Sequence, residues 1–129
     1  MGKKYLIDSN VIIDYLSGRL PEKSSDFVEQ IFDDQFLISV IVKIEVLGFD
    51  DIVQKMNAME NFVGMAKIIP LDEKVTDTAI KLRREYKKLK LGDAIIASTA
   101  LEYELILITH NIADFKHIFG LNVLNSHNI

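Results

Sequence analysis

Three carboxylates stand in stretches of sequence that are too apolar to hold a charge without a partner. Asp8 follows the apolar run Tyr5–Ile7, Glu45 lies within IVKIEVLGF, and Asp93 precedes the most apolar helical segment of the chain, residues 94–104. A buried carboxylate is normally paired with a cation or bound to a metal ion, because the unpaired charge is costly to bury. These acids are therefore the first candidates for a functional site.

A divalent cation would offset both the cost of burying the three acids and their mutual repulsion. Carboxylates brought together repel one another, and few cationic side chains lie near them in sequence. Mg²⁺ and Mn²⁺ prefer carboxylate and water oxygens. Each acid also has a simpler interpretation. Asp8 and Asp93 could cap the helices that follow them, and Glu45 could lie on the exposed stripe of its helix.

A polar cluster, THNIAD, follows the apolar run of residues 105–109, which is predicted to be a strand buried on both faces. In open α/β sheets, ligands bind beyond the carboxyl ends of the strands. Thr109, Asn111 and Asp114 are therefore candidates for the site that contains Asp8. All three are also ordinary turn-forming residues.

The elements that must position these residues alternate along the chain. Strands are predicted at residues 3–7, 36–39, 66–71, 105–109 and 121–124, and helices at 11–16, 27–32, 40–47, 52–63, 73–89 and 94–104. The β-branched run 40–47 could also continue the preceding strand. Strands separated by helices throughout indicate a parallel sheet with helices on both faces. Right-handed crossovers would bring the ends of the first and fourth strands to one edge.

Composition narrows the class of protein. A chain of 129 residues is long enough for a single domain, predicted as 1–129. The absence of cysteine excludes disulfides, thiol nucleophiles and Cys-ligated metals. A net charge of −4 argues against capture of nucleic acid by a broadly basic surface, but acids gathered around cations would have the same sign. No apolar run is long enough to span a membrane, and the cytoplasm is the default location.

Four segments of the chain resemble the PIN-domain ribonucleases, most closely the compact VapC-like toxins of bacterial and archaeal toxin–antitoxin pairs. They are LIDSNVIIDYL, IEVLGF, LGDAIIASTALEYELILITHNIADF and the ending GLNVL. The resemblance covers nearly the whole length. It implies an α/β three-layer sandwich, with a central parallel sheet of four or five strands, and acids at one edge that bind Mg²⁺ (or Mn²⁺).

Site residues carry over from the resemblance position by position. The family's first three acids match the carboxylates Asp8, Glu45 and Asp93. The fourth acid falls in THNIAD, where many members have aspartate at the position of Asn111, so the fourth role could belong to Asn111, to Asp114 or to neither. Asn10 and Thr109 match supporting polar positions, and His110 stands where arginine is frequent.

The resulting hypothesis is metal-assisted hydrolysis of RNA by a toxin. Asp8, Glu45 and Asp93 would hold one Mg²⁺, and no protein nucleophile is required. The resemblance implies an antitoxin and a second copy of the chain as partners. The apolar, Met-bearing segment 52–65 is a candidate for part of an interface, although the same residues could equally belong to the core. The alternatives are a catalytically weak PIN-like binding module and, with a poorer fit, a receiver-like phosphoacceptor domain.

The long helix 73–89 and the residues after it carry a run of basic side chains. Lys87 and Lys88 are candidates for contact with the RNA backbone. The simpler interpretation is a solvated helix end, where cations are favourable in any case.

Overall fold

Five short strands form one parallel sheet in the computed structural model, which describes residues 3–129. The strands are β1 (Tyr5–Ile7), β2 (Leu37–Ser39), β3 (Lys67–Ile69), β4 (Ile106–Thr109) and β5 (Val123–Asn125). Their order in the sheet is β3-β2-β1-β4-β5, and every neighbouring pair is parallel. The predicted α/β fold with a parallel sheet is therefore confirmed. Met1 and Gly2 of the predicted domain 1–129 lie outside the described residues.

The described residues form seven helices that connect the strands. They are α1 (Ser9–Leu16), α2 (Glu22–Asp33), α3 (Val40–Leu47), α4 (Val53–Val63), α5 (Glu73–Glu85), α6 (Leu91–Glu102) and α7 (Ile112–Phe115). The chain moves towards one edge of the sheet from β1 to β3 and then returns across it to β4 and β5. Right-handed crossovers consequently place α1 to α4 on one face and α5 to α7 on the other, which gives the three predicted layers. None of the helices in residues 3–129 has the length and apolar character needed to cross a membrane.

The apolar runs that predicted the central strands are the centre of the core. Leu6, Ile7, Leu107 and Ile108 are fully buried in β1 and β4, because both faces of these strands are covered by helices. Helix α6 is buried at every position from 94 to 100. Its small side chains let it pack along α5 and against the sheet at the same time. The two central strands and α6 therefore form a rigid support for the residues at their ends.

Several predicted boundaries were wrong, although the order of the predicted elements was right. Helix α2 begins at Glu22, directly after Pro21, and not at residue 27. Proline is favoured at a helix start because it has no backbone N–H that would be left without a partner. Helix α5 ends at Glu85, and α6 begins at Leu91, before the predicted start. The run 40–47 is helical, and Ser39 caps it by accepting a hydrogen bond from the N–H of Ile41 at 3.3 Å.

Candidate active site

Asp8 lies at the carboxyl end of β1 and is buried, with 4% of its surface exposed. One carboxylate oxygen, Oδ1, accepts a hydrogen bond from the N–H of Ser9 at 2.8 Å and caps α1. The other, Oδ2, accepts from Thr109 Oγ1 at 2.7 Å and from Asn10 Nδ2 at 3.0 Å. The capping interpretation is therefore correct for one oxygen only, and the second oxygen belongs to a network that joins β1 to β4.

Thr109, at the carboxyl end of β4, is the centre of that network and is fully buried. Its Oγ1 donates to Asp8 and accepts from Asn10 Nδ2 at 3.2 Å and from the N–H of Asn111 at 3.1 Å. The N–H of His110 donates to Asn10 Oδ1 at 3.0 Å. Asn10 and Thr109 thus fix the orientation of Asp8. Asn111 contributes its backbone, and its side chain makes no capping hydrogen bond to α7.

Glu45 approaches the same edge from α3. Its side chain is largely exposed, yet its carboxylate lies close to Ser9 and Gly92. Ser9 Oγ lies 3.4 Å from Glu45 Oε1 and donates to it. A Cβ at Gly92 would lie 3.8 Å from Glu45 Oε2, so the start of α6 is close to the same carboxylate. Glu45 therefore lies between the start of α1 and the start of α6.

Asp93 is the third residue of α6 and is half-buried. Lys90 occupies the N-cap position of α6 without a capping side-chain bond, so the interpretation of Asp93 as the cap is wrong. Burial raises the pKa of Asp93 from an ordinary 3.8 to about 6, and the negative charges of Asp8, Asp114 and Glu45 add to the effect against Lys90. Four carboxylates therefore share one electrostatic environment.

The pKa values of Asp8 and Glu45 are also raised. Burial raises the pKa of Asp8, although its hydrogen bonds from Thr109, Ser9 and Asn10 oppose the shift. The pKa of Glu45 is raised by burial and then by the charge of Asp8. The ion pairs found within residues 3–129 do not include these acids. An added cation would stabilise the ionised form of all of them.

The donor set suits a hydrated divalent ion. No group of three or more Asp, Glu, His or Cys side chains in residues 3–129 is placed to surround one metal ion directly. Mg²⁺, however, usually keeps several waters and takes only one or two carboxylates. The three carboxylates offer oxygen ligands, which Mg²⁺ and Mn²⁺ prefer. Asp8, Glu45 and Asp93 therefore fit such an ion when water completes its shell.

The remaining predicted site residues lie around this edge. Asp114 is exposed on α7, and its charge reaches Asp93. Lys87 and Lys88 are exposed between the end of α5 and Lys90, the N-cap residue of α6. The structure thus places the two lysines at the end of α6 that carries Asp93.

Sequence reasoning missed the contact made by the Ser9 side chain. Ser9 Oγ lies 3.4 Å from both Asp8 Oδ1 and Glu45 Oε1, and it is the hydroxyl that joins these two acids. The signal was present in the sequence D-S-N, where a serine directly follows the first acid. That adjacency alone does not predict a bond to a side chain 36 residues away in sequence.

Comparisons with known proteins identify the family of the chain. The PIN domain family profile matches residues 5–119. Ribonuclease VapC1 of Haemophilus influenzae (strain R2866) is 27% identical over 126 residues, which cover 91% of this chain and 93% of that protein. A toxin–antitoxin complex from Klebsiella pneumoniae has a chain that is 31% identical, with a TM-score of 0.78 over 98% of this chain and 100% of the other. The structure of VapBC2 from Rickettsia felis bound to a DNA fragment from the VapBC2 promoter has a chain that is 25% identical. Its TM-score is 0.79, over 94% of this chain and 97% of the other. Because the family profile matches residues 5–119, which is most of the chain, the chain belongs to the PIN-domain family.

Proposed function

We propose that this protein is a metal-dependent endoribonuclease that hydrolyses RNA phosphodiester bonds, and that it is the toxin of a toxin–antitoxin pair. The observation that carries the chemistry is the convergence of Asp8, Glu45, Asp93 and Asp114 on one edge of the sheet. The substrate class is supported by the similarity to Ribonuclease VapC1, and the antitoxin partner by the similarity to toxin–antitoxin complexes. An RNA substrate would place the activity in the cytoplasm.

The acids of β1, α3 and α6 would hold the ion. Mg²⁺ or Mn²⁺ bound by Asp8, Glu45 and Asp93 would polarise the scissile phosphate and activate a water molecule. Asp8 is held in one orientation through both of its oxygens, so its position is fixed before any ligand arrives. Asp93, with a pKa of about 6, is mostly ionised at neutral pH and ready to bind a cation. Asp114 adds negative charge beside it.

The attacking group in this proposal is water, because the chain offers no thiol and the site contains no other strong nucleophile. The chain has no cysteine. The hydroxyls of Ser9 and Thr109 are engaged in hydrogen bonds to carboxylates. Lys87 and Lys88 lie at the Asp93 end of α6, where they are candidates for contact with the RNA backbone.

A second copy of the chain and an antitoxin are the protein partners in this proposal. Ile52, Val53 and Met65 are each more than half exposed around α4. They are therefore not core residues, whereas Val63 of the same segment lies in the core, and Met59 and Phe62 pack against it. The exposed residues at the two ends of the segment are the candidates for an interface.

Cleavage of a mixed cellular RNA pool tests the proposed activity. Wild type and Asp93→Asn would be compared with Mg²⁺, with Mn²⁺ and with EDTA, and Asp26→Asn, which changes an exposed acid on α2, is the matched control. We expect discrete metal-dependent products from wild type and Asp26→Asn and none from Asp93→Asn. No cleavage by folded wild type with either metal would favour the PIN-like binding module, an alternative that the replacement of an acid by Asn111 also supports.

A further inference from the structure

Phe119 is the most exposed large apolar side chain in residues 3–129, at 92%. It lies in the loop between α7 and β5, directly before Gly120, whose φ of +82° forms the turn. The backbone at Phe119 is held in place, because its N–H donates to the hydroxyl of Tyr86 at 3.1 Å. A fixed backbone with a fully presented ring is the arrangement expected of a contact residue.

The residues around Phe119 form a basic and aromatic surface. The ring of Tyr86 packs edge-on against His117, with 5.2 Å between the ring centroids. Exposed lysines flank these rings in residues 86–88 and in residues 116–119. The surface, here called the stacking surface, consists of Tyr86, Lys87, Lys88, Lys116, His117 and Phe119. Tyr86 is half-buried and supports the exposed rings of His117 and Phe119. Lysine charges beside exposed rings are complementary to single-stranded nucleic acid, which offers phosphates and base faces together.

The stacking surface and the acidic edge lie on the same two segments of the chain. Lys87 and Lys88 precede Asp93 at the start of α6, and α7, which carries Asp114, leads through Lys116 to Phe119. A Cβ at Gly120 would lie 3.7 Å from Leu101 Cδ2, near the end of α6 that is opposite Asp93. The stacking surface therefore extends from the acidic edge towards the far end of α6.

We propose that Phe119 stacks on a base of single-stranded RNA that extends beyond the cleavage site, while Lys87, Lys88 and Lys116 contact phosphates of the same strand. The substrate must be unpaired at this point, because a base within a duplex does not expose its face. The inference rests on the proposed function for the identity of the ligand, but it concerns binding and not hydrolysis.

Tryptophan substitution gives a direct test, because the chain contains no tryptophan. Phe119→Trp would place a single indole on the stacking surface, in an Asp93→Asn background that prevents cleavage. The control is Phe49→Trp in the same background, since Phe49 is 65% exposed in the connection between α3 and α4. Titration with an unstructured, mixed-sequence oligoribonucleotide is expected to quench the indole at position 119 and not the one at position 49.

Affinity supplies the second readout. Phe119→Ala is expected to weaken RNA binding by roughly tenfold or more, the loss of one stacked base, while Phe119→Tyr and Phe49→Ala bind as tightly as the parent. Equal affinity of Phe119→Ala, or no quenching of the indole at position 119, would overturn the inference and leave the proposed nuclease intact. A change in the mass of Phe119→Ala by light scattering would also overturn it, since Phe119 would then contact a second copy. If the Asp93→Asn parent and wild type bind no RNA at all, both proposals fail.

Discussion

Replacement of Thr109 by valine separates the role of one hydroxyl from the packing of its residue. Valine has nearly the same shape, and Thr109 is fully buried, so the change removes three hydrogen bonds and little else. Asn10 Nδ2 keeps its bond to Asp8 Oδ2, and the N–H of the exposed Asn111 can turn to water. The bond from Thr109 to the buried carboxylate of Asp8 is therefore the main loss.

The expected cost can be estimated from that bond. A hydrogen bond to a charged group contributes about 1.5–3 kcal/mol, so the free energy of unfolding of Thr109→Val should fall by roughly 2 kcal/mol. The bond from Thr109 lowers the pKa of Asp8 against the effect of burial. Its removal raises that pKa further, so the ionised form suffers the larger loss. The destabilisation should be largest at high pH and should shrink as Asp8 becomes protonated.

Urea denaturation in EDTA at about pH 8 and about pH 4.5 measures both the size and the pH dependence of the effect. Thr109→Ser is the matched control, because it keeps the hydroxyl and loses one methyl group, at a cost of about 1 kcal/mol. Equal destabilisation by valine at the two pH values would refute the reasoning. So would a serine variant that is as unstable as the valine variant at high pH.

The other acids and the lysines give further expected outcomes. Because Mg²⁺ must displace the proton from Asp93, whose pKa is about 6, calorimetric Mg²⁺ affinity should rise as pH increases through that value and lose this dependence in Asp93→Asn. Without metal, the free energy of unfolding changes with pH in the opposite direction. The Asp93 carboxyl ionises at a lower pH in the unfolded chain than in the folded protein, so the protein loses stability as pH rises from 3.8 to about 6. Glu45→Gln should stabilise the metal-free protein in urea while weakening Mg²⁺ binding, because the pKa of Glu45 is raised in the folded state. Lys87→Glu or Lys88→Glu should weaken RNA binding and flatten its salt dependence by about one phosphate contact, in contrast to Lys23→Glu, which changes an exposed lysine on α2.

The edge of the sheet was predictable because burial leaves a clear pattern in the sequence. Strands β1 and β4 are covered on both faces, so their residues are apolar without alternation. The first polar residue after each run then marks the carboxyl end of the strand. Asp8 and Thr109 occupy these positions, and the parallel pairing of β1 with β4 brings them within 2.7 Å of each other.

The arrangement of Glu45 and Asp93 was not predictable from local pattern. Their approach depends on how α3 packs beside α6, where Gly92 leaves room next to Ile41 and the Glu45 carboxylate. The cap assignment for Asp93 failed because an acid in the first turn is favoured by the helix dipole without making a capping bond. Helix α7 was missed because four residues form a single turn, which is too short to show a helical period.

We propose that Asp114, and not Asn111, fills the fourth position of the site, a choice that the sequence left open. The charge of Asp114 raises the pKa of Asp93, whereas Asn111 acts through its backbone N–H on Thr109 Oγ1. Asp114→Asn should therefore lower the pKa of Asp93, measured by carboxyl NMR, and slow metal-dependent RNA cleavage on the order of tenfold, as for other residues that support a metal site. Asn111→Ala keeps the backbone N–H and should leave both quantities close to wild type. If Asn111→Ala slowed cleavage more than Asp114→Asn, the fourth role would belong to the amide, and the charge on α7 would have no part in the reaction.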